Sequence, residues 1–518
     1  MAFGAGLALA ASFIDFRLFV LPWIALVPLI ALAERSTPSR AFCLGYLAGA
    51  AGIALAFSWL VYTIRVFGGF STAAAAAIYL APVAWMATEF GLFTGLVAWL
   101  GPLPLGLAAP IVFTAVEFLF PSPFPWRLAH SQYRVPNLLQ TGELAGPFLL
   151  TFTMVWTSSG LLRALRAAAD RRTQREAPGG RVGWSIVAPA ILFLGVATYG
   201  SWRLGSIRAA RTQAPSLWVG VVQGNIGVAR KSDRSLLDRN VERYRALSRP
   251  VAPEVDLLIW PETVVQRHLP IEREFLTAEE SPFPDVPRPL VFGGLAVDTL
   301  GGKRRLFNSA FLLREDGRVA GRYDKRVLLP FGEYMPLGDR LPRLRELSPA
   351  TSHFTAGARA TVLTLNTTAR LGPLICYEDV IPAPSLDAVA KGATLLLNLT
   401  NDAWYGDSAE PTQHQALALW RAVENRRDFI RSTDTGLTSV IAATGEVIEK
   451  LPTFEAATLV AEVRLLEGTT IYATVGELFA WSTVAALLAS ALWRTALAGG
   501  VAGSLARRRL RERNAARI

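Results

Sequence analysis

Long apolar segments dominate the first 203 residues, and they limit the possible folds of this chain more than any other feature. A membrane-spanning helix needs about 20 mainly apolar residues, although slightly shorter ones occur. The candidate spans lie near residues 2–15, 18–33, 43–63, 74–98, 103–121, 143–165, 183–202 and 472–497. The sequence therefore predicts a bundle of about eight transmembrane helices.

The composition indicates a membrane protein that also carries a soluble part. Of the 518 residues, 52% are hydrophobic and only 18% are charged, whereas soluble domains carry about 25% charged residues. The two cysteines, Cys43 and Cys376, are too few to build a disulfide scaffold. The composition thus excludes a small disulfide-stabilised fold and excludes disorder over most of the chain.

Arginines in the connecting segments predict the orientation in the membrane. Six of them lie within 163–181 and six within 507–517. Because cytoplasmic loops are enriched in Lys and Arg, we expect both segments, and with eight spans both termini, to be cytoplasmic. Arg203, Arg208 and Arg211 would lie on the outer side and oppose this rule. The net charge of +11 then reflects topology and contact with anionic lipid, and we expect no nucleic-acid partner.

The region 204–468 has the pattern of a soluble α/β domain. Short apolar segments bounded by turns predict strands at Leu217–Val222, Leu257–Trp260, Leu290–Phe292, Ala310–Leu313, Leu371–Ile375, Thr394–Leu399 and Ser439–Ala442. Helical patterns occupy Ser235–Leu247, Pro384–Lys391 and Thr412–Arg427. This order predicts a layered α/β sandwich. The chain would divide into 1–203 with seven transmembrane helices, 204–468 as the outer domain, and 469–518 with the last helix and a basic tail.

Three polar residues of the outer region lie at the ends of predicted buried strands. Glu262 follows Leu-Leu-Ile-Trp-Pro, Cys376 follows Gly-Pro-Leu-Ile, and Lys325 lies in Tyr-Asp-Lys-Arg. The ends of strands are where α/β folds tend to place their sites. A carboxylate can take the proton of a thiol, and an ammonium can stabilise the oxyanion formed when the thiolate attacks a carbonyl. The three residues therefore predict acyl transfer through a thioester, although each alone is more often structural.

Histidines suggest neither a competing mechanism nor a metal centre. The chain has four of them, and none shows a metal-type spacing with another His or Cys. We therefore expect no metal and no cofactor. His414 opens a predicted helix and could orient another side chain; the other three are His130, His268 and His353.

Several motifs follow one another in a characteristic order. In the outer region they are VVQGNI at 221–226, LIWPETVV at 258–265, YDKRVLLPFGEYMPLG at 323–338, LICYEDVIP at 374–382, LNLTNDAWYGDS at 397–408 and RSTDTGLTSVI at 431–441. The membrane part contributes SWLVYTIRVFGG at 58–69 and FPWRLAHSQ at 124–132. With this set, the chain resembles the bacterial apolipoprotein N-acyltransferases over nearly its whole length. Their outer domain belongs to the nitrilase, or carbon–nitrogen hydrolase, superfamily, which implies an αββα sandwich.

The resemblance implies roles for individual residues. Glu262 matches the general base, Lys325 the oxyanion-stabilising lysine and Cys376 the nucleophile. Supporting positions of the family match Glu333, Tyr377 and Glu378. Members of the family act from the bacterial inner membrane with the catalytic domain in the periplasm.

The resemblance also implies the substrates. The family takes an acyl chain from a phospholipid, usually phosphatidylethanolamine, onto the cysteine. It then passes this chain to the α-amino group of the S-diacylglyceryl cysteine of an apolipoprotein. Both substrates are anchored in the bilayer, so an apolar rim beside the site is expected; its candidates are Leu329, Phe331, Trp404 and Tyr405. Nothing in the sequence demands more than a monomer.

Four positions depart from the family pattern. Ser232 stands where the family often has a tryptophan that is associated with the second substrate. Val327 and Arg65 stand where histidine is common, and Asp434 where asparagine is usual. These differences predict a divergent member with an altered substrate preference.

Two alternatives remain at this level. A membrane-tethered amidase or nitrilase would use the same three residues but pass the acyl group to water. A non-catalytic lipoprotein-binding or transport protein would keep only the fold. Transporters usually carry ionisable residues within their spans, and here the candidates are few: Glu89, Glu117, Glu143 and Glu477.

Overall fold

The computed structural model describes most of the chain. The residues it does not describe are 173–180, 228–233, 285–287, 300–303, 339, 342, 344–350 and 516–518. Ser232, the departure associated with the second substrate, lies outside the described residues, and so do part of the arginine-rich segment 163–181 and the end of the tail.

Helices form the first part of the chain and its end. The first part contains α1 (Ala2–Ile14), α2 (Leu21–Glu34), α3 (Pro38–Ala56), α4 (Leu60–Gly68), α5 (Thr72–Leu100), α6 (Ala108–Leu119), α7 (Pro136–Leu139), α8 (Gly142–Ala145), α9 (Phe148–Arg172) and α10 (Arg181–Gln213). Among the described residues, α3, α5, α9, α10 and the final helix include segments long and apolar enough to cross a membrane. The shorter apolar helices are α1, α2 and the one that ends at Leu119. Together they match the eight predicted apolar segments.

The predicted span 43–63 is wrong in one respect, because the chain is not one helix there. Helix α3 ends at Ala56 and α4 begins at Leu60. Trp59, in the break, donates from its indole N–H to Gln413 of the outer domain at 2.8 Å. The contact with the outer domain therefore coincides with the interruption of the apolar segment.

The membrane helices pack closely through small residues. A Cβ on Gly45 of α3 would lie 2.0 Å from Thr94 Oγ1 and 2.3 Å from the Phe90 carbonyl oxygen of α5. Only glycine permits this approach, and such small-residue contacts are typical of helices that associate within a bilayer.

The outer region is built from strands with helices on both sides. The strands are β1 (Ser216–Gln223), β2 (Leu257–Ile259), β3 (Val265–Pro270), β4 (Leu290–Asp298), β5 (Arg305–Leu313), β6 (Val319–Asp324), β7 (Leu363–Thr364), β8 (Arg370–Ile375), β9 (Leu395–Thr400), β10 (Phe429–Thr433), β11 (Ser439–Ile441), β12 (Val447–Lys450) and β13 (Ala457–Arg464). The helices are α11 (Leu237–Ser248), α12 (Pro382–Ala390), α13 (Glu410–Ala418) and α14 (Trp420–Asn425), followed after the last strand by α15 (Ile471–Val475) and α16 (Leu478–Ala515). The single helix predicted over Thr412–Arg427 is thus two helices.

The strands form two sheets that face each other. The first has the order β13-β1-β2-β4-β5-β6, with β3 on β4, and the second has the order β12-β11-β10-β9-β8-β7. Their inner faces share one apolar core, in which Val219, Ile259 and Leu312 pack with Leu397 and Ile430. Helix α11 covers the first sheet, and α12 and α14 cover the second. This is the αββα sandwich expected from the resemblance.

The outer domain and the membrane helices form a continuous apolar core. Trp420 and Phe429 of the outer domain pack in one cluster with Leu139 and Leu150 of the membrane part. Gln413 also donates to the carbonyl oxygen of Phe13, at 3.0 Å. The edge of the sandwich is therefore held directly on the helices.

Ion pairs explain the three arginines that oppose the topology rule. Arg203 bonds to Glu143, with one N···O distance of 2.9 Å. Arg211 makes two hydrogen bonds to Asp428, at 2.8 and 2.7 Å, and Arg208 bonds to Glu446 at 3.0 Å. The helix α10 continues past the predicted boundary at 203. Arg208 and Arg211 tie it to the outer domain, whereas Arg203 pairs with α8 of the membrane part.

Candidate active site

The nucleophile candidate lies at a sharp turn after an inner strand. Strand β8 ends at Ile375, and Cys376 begins a 3-10 turn over Cys376–Val380. Cys376 has a φ of +50°, a left-handed conformation that is strained for a residue with a side chain. The side-chain amide of Asn398 on β9 donates to the Cys376 carbonyl at 2.9 Å. The turn is therefore held in this conformation by the neighbouring strand, and Cys376 is buried.

Glu262 approaches from the first sheet. It follows β2, and Thr263 next to it has a φ of +49°. A Cβ on Gly293 of β4 would lie 2.6 Å from the Glu262 Cα. Because position 293 is glycine, the segment carrying Glu262 can lie directly against β4.

One asparagine connects the two carboxylates of the site. Asn308 of β5 donates from Nδ2 to Glu262 Oε1 at 2.7 Å and to Glu333 Oε1 at 3.1 Å. Lys325 Nζ lies 2.7 Å from Glu333 Oε2 and 3.9 Å from Glu262 Oε1. The Leu329 amide donates to Glu333 Oε2 at 2.8 Å. The structure thus brings Glu262, Lys325 and Glu333 into one buried network.

The charges of this network act on the thiol. Burial raises the pKa of Cys376 well above its usual value, and Glu262 raises it further, while Lys325 and a hydrogen bond with Thr400 oppose the shift. For Lys325, burial opposes the charge, but Glu333, Cys376 and Glu262 outweigh it and raise the pKa above its ordinary value. At neutral pH the resting site therefore holds a protonated thiol beside a permanent ammonium. Nucleophilic attack then requires a base.

Glu378 occupies a different position from the other carboxylates. Its two oxygens accept from the Tyr323 hydroxyl, at 2.8 and 2.9 Å, and from the amides of Arg326, Val327 and Ile375 at 2.7, 3.0 and 2.8 Å. These bonds join the segment after Lys325 to the strand end that carries Cys376. Burial raises the pKa of Glu378, against these amides and Lys325. Its geometry is that of a positioning residue.

Tyr377 connects the nucleophile turn to the membrane part. Its hydroxyl donates to the carbonyl of Pro123. Its ring makes an edge contact with Phe124, with 5.9 Å between centroids. The residue after Cys376 is therefore anchored in the segment that follows α6.

A second buried charge network lies behind the nucleophile turn. His414 Nε2 is 2.7 Å from Asp379 Oδ1, and Nδ1 is 3.3 Å from Asp402 Oδ1. Arg431 Nε lies 3.2 Å from Asp379 Oδ2. Burial opposes the charge of His414, but Asp379 outweighs it, with help from Asp402, and raises the pKa of His414 to about 10. His414 is therefore a cation at neutral pH.

Part of this network has a possible metal-ligand geometry. Asp402, Glu410 and His414 can each place one donor atom within 4.8 Å of the others. Both nitrogens of His414 already face carboxylates, and Arg431 brings a guanidinium to 3.8 Å from Asp402. Burial and Asp402 raise the pKa of Glu410 well above its usual value, which disfavours its charged form. The protein's own cations balance the ionised carboxylates, and the arrangement fits a charge network better than a cation site.

The candidate rim residues differ in exposure. The Phe331 side chain is 61% exposed, and the nearby Leu337 and Leu341 are also exposed. Tyr405 is buried, with its ring 5.2 Å from that of Trp59, and Trp404 contacts Phe67 of α4. Of the four rim candidates, Phe331 has the exposure expected of an apolar rim, and Tyr405 does not.

The departures from the family pattern have separate structural settings. Asp434 accepts from the Tyr244 hydroxyl at 2.6 Å and from the Ile226 amide at 3.2 Å, so it holds the segment after β1. Arg65 is exposed on α4, with its guanidinium 5.7 Å from the Tyr62 ring. Val327 packs against the sandwich core.

Sequence reasoning missed Asn308, Thr400 and Arg431. Asn308 and Ser309 interrupt an otherwise apolar strand, which was a usable signal. Arg431 opens the motif at 431–441, but its pairing could not be inferred from it, because its partner Asp379 is distant in sequence.

Two family models match the chain. The apolipoprotein N-acyltransferase N-terminal domain matches residues 5–160, and the carbon-nitrogen hydrolase model matches residues 218–471. The chain is similar to the apolipoprotein N-acyltransferase of Geobacter metallireducens, with 33% identity over 94% of this chain and 93% of the relative. The corresponding proteins of Methylococcus capsulatus, with 30% identity over 92% of each chain, and of Pseudomonas aeruginosa, with 32% over 86% of each, are also similar. The chain belongs to the apolipoprotein N-acyltransferase family.

Proposed function

We propose that this protein transfers an acyl chain from a membrane phospholipid, through a thioester on Cys376, to the α-amino group of a diacylglyceryl cysteine at the start of an apolipoprotein. The observation that carries the proposal is the network of Glu262, Asn308, Lys325 and Glu333 around a buried thiol. The comparisons support this function through the family to which the chain belongs.

In the first half-reaction, Glu262 takes the proton of the Cys376 thiol, and the sulfur attacks the ester carbonyl of the phospholipid. The carbonyl oxygen becomes an oxyanion, and the ammonium of Lys325 stabilises its charge. The C–O ester bond then breaks. The lysophospholipid leaves as an alcohol after receiving the proton from Glu262, and the acyl chain remains on sulfur.

In the second half-reaction, the neutral α-amino group of the acceptor attacks the thioester carbonyl. Glu262 takes a proton from the attacking nitrogen, and the C–S bond breaks as the amide forms. The thiolate leaves and regains the proton, which restores the resting site. Glu333 and Asn308 position Lys325 and Glu262 in both steps.

The remaining assignments belong to the same proposal. The acyl donor is phosphatidylethanolamine and the protein acts as a monomer. Residues 1–203 and 469–518 hold the domain 204–468 at the periplasmic face of the bacterial inner membrane, with both termini in the cytoplasm. The arginines of 163–181 and 507–517 support this orientation.

Transfer to a lipopeptide tests the function and separates it from the hydrolase alternative. The full chain in phospholipid bilayers receives a synthetic diacylglyceryl lipopeptide with a free amino group, and the product is read by mass. We expect a gain of one acyl chain on this peptide and none on its N-acetylated form or with Cys376→Ala. Free fatty acid without peptide acylation would instead support the amidase-type hydrolase, and inactivity in all conditions would contradict both.

A further inference from the structure

A cleft between the membrane helices contains two carboxylates that the proposed mechanism does not use. It lies between α1, α3, α5 and α6, and its cavity volume is about 60 Å³. Most of its lining is apolar, including Gly49 and Gly52 of α3, but it also contains Glu89 and Glu117. Ionisable residues within membrane-spanning segments generally mark functional positions.

Neither carboxylate is in contact with an oppositely charged side chain in the described part of the chain. Glu117 is 2% exposed, and its Oε1 accepts from the Leu128 amide at 2.6 Å. Its Oε2 is buried and has no partner in full hydrogen-bond geometry among the described residues, although the Thr151 hydroxyl lies near this carboxylate. In the described part of the chain, neither Glu89 nor Glu117 forms an ion pair within 4.0 Å. The cleft therefore contains a buried carboxylate oxygen without an oppositely charged partner in contact, beside the indole N–H of Trp126, which is also buried and unpartnered among the described residues.

The one cationic side chain that lines the cleft, Arg127, acts on both carboxylates through its charge but forms an ion pair with neither. Arg127 donates from Nη1 to the main-chain carbonyl of Glu117, and its guanidinium lies 5.2 Å from the centre of the Phe148 ring. Burying a polar acceptor without a donor is unfavourable. The chemistry that would complete this cleft is a positively charged hydrogen-bond donor.

The depth of the cleft suits a lipid headgroup or a lipid-linked amine. The indole of Trp85 donates to the Pro121 carbonyl at 2.8 Å, and the Trp85 side chain is 50% exposed, as is common at a membrane interface. Glu89 follows Trp85 by four residues of the same helix, which places it about 6 Å further along the helix axis.

The cleft also adjoins the active site. Trp126 lines the cleft and also lines a smaller pocket. Tyr377, the residue after Cys376, lines that smaller pocket as well. A molecule with its polar group in the cleft would therefore lie one aromatic side chain away from the pocket beside the nucleophile turn.

We propose that this cleft binds the primary ammonium of a membrane amphiphile, with Glu89 and Glu117 as the acceptors and the small residues of α3 against its apolar part. The inference rests on the proposed function, which supplies two sources of this group: the headgroup of phosphatidylethanolamine and the α-ammonium of the lipoprotein acceptor. Both present the same chemistry, and the experiment distinguishes them.

Native mass spectrometry of Cys376→Ala protein released from bilayers tests the binding without turnover. The amine probes are phosphatidylethanolamine and a free-amine diacylglyceryl lipopeptide. Their matched controls are phosphatidylglycerol with the same chains and the N-acetylated lipopeptide. We expect preferential retention of one amine probe, reduced about tenfold or more by Glu89→Gln or Glu117→Gln, the size of a lost charged hydrogen bond. Glu117→Gln keeps an acceptor for the Leu128 amide, so this hydrogen bond of the fold is retained.

The control variant is Thr88→Val, which removes a polar group from the helix that carries Glu89. In the described part of the chain, the Thr88 hydroxyl donates to the Ala84 carbonyl of its own helix. It should leave retention unchanged. A loss confined to phosphatidylethanolamine assigns the headgroup, and a loss confined to the lipopeptide assigns the acceptor. Equal retention of amine and control probes, or glutamine variants that behave like Thr88→Val, would overturn the inference.

The two proposals can fail separately. Thioester formation by the protein with Cys376 intact is measured in parallel. Absence of the thioester with amine-specific retention preserved would contradict the proposed function and leave the binding site standing. Thioester formation with no amine-specific retention would contradict the binding site and leave the proposed function standing.

Discussion

The ammonium of Lys325 lies 2.7 Å from Glu333, while its distance to Glu262 is 3.9 Å. The two carboxylates are joined through Asn308, yet only one is in contact with the lysine. This asymmetry separates their roles. Glu333 fixes the lysine, and Glu262 is left as the carboxylate that can exchange a proton with the thiol.

Replacing the base should affect the chemistry more than replacing the carboxylate that fixes the lysine. Glu262→Gln preserves the shape but cannot take a proton, so thioester formation should slow by about 100-fold or more. Glu333→Gln keeps proton transfer and should slow it by about tenfold, through a less well positioned Lys325. Rapid-quench measurement of acyl-protein gives both rates. Equal effects of the two variants would contradict the assignment.

Glu378 should act through the geometry of the site. Glutamine cannot accept from all four donors that bond to the carboxylate, so Glu378→Gln should lower the free energy of unfolding by about 1–3 kcal/mol. Thioester formation should slow, but its pH dependence should keep the wild-type shape. A displaced pH profile would instead indicate direct proton transfer by Glu378. Tyr323→Phe, which removes one donor to the same carboxylate, should give a smaller loss of stability in the same direction.

His414 should make the stability of the outer domain sensitive to alkali. The pKa of His414 is raised to about 10 in the fold, against about 6.5 when unfolded. Its contribution is therefore complete below about pH 6.5 and is lost as the pH rises through about 10. Removing one partner of a buried charge pair costs about 3–5 kcal/mol, so His414→Gln should be destabilised by that order at pH 6.

Denaturant unfolding of both proteins across this range measures the effect. The difference between wild type and His414→Gln should shrink steadily from pH 6.5 to 10. A difference that is constant with pH would mean that His414 is neutral in the fold and that its contacts with Asp379 and Asp402 carry no charge.

Much of the fold could be predicted because its inner strands are apolar throughout. Strands β2 and β9 are fully buried, and continuous apolar segments are the typical signal of such strands. Strands β3 and β6 were missed because most of their residues are only partly buried or exposed, so their sequences carry little apolar signal. Strand β10 is fully buried, but it was missed because it contains the charged residue Arg431, which interrupts the apolar signal.

The candidate site was predictable only in part. The motifs around Glu262, Lys325 and Cys376 indicate the chemistry, but the connecting role of Asn308 depends on the registry of β4 with β5, which local sequence does not encode. The interruption of 43–63 and the division of 412–427 both occur where the outer domain contacts the membrane helices. Such contacts join residues that are distant in sequence, 354 positions apart for Trp59 and Gln413, and no local pattern reports them.

The proposed topology places Asp238 and Thr37 on opposite sides of the membrane. Both positions are exposed in the fold, Asp238 with 81% of its side chain accessible. In a Cys43→Ala background, Asp238→Cys should react with a membrane-impermeant maleimide in intact spheroplasts. Thr37→Cys should react only after lysis. The reverse pattern would invert the orientation.

The acyl-enzyme is the central claim, and intact-mass measurement addresses it directly. The purified full chain is incubated with phosphatidylethanolamine in bilayers, beside Cys376→Ala and beside samples treated with hydroxylamine. We expect a mass gain of one acyl chain that hydroxylamine removes and that the alanine variant never shows. A folded protein that gains no acyl mass from phosphatidylethanolamine or from any other phospholipid of a donor panel would contradict the account.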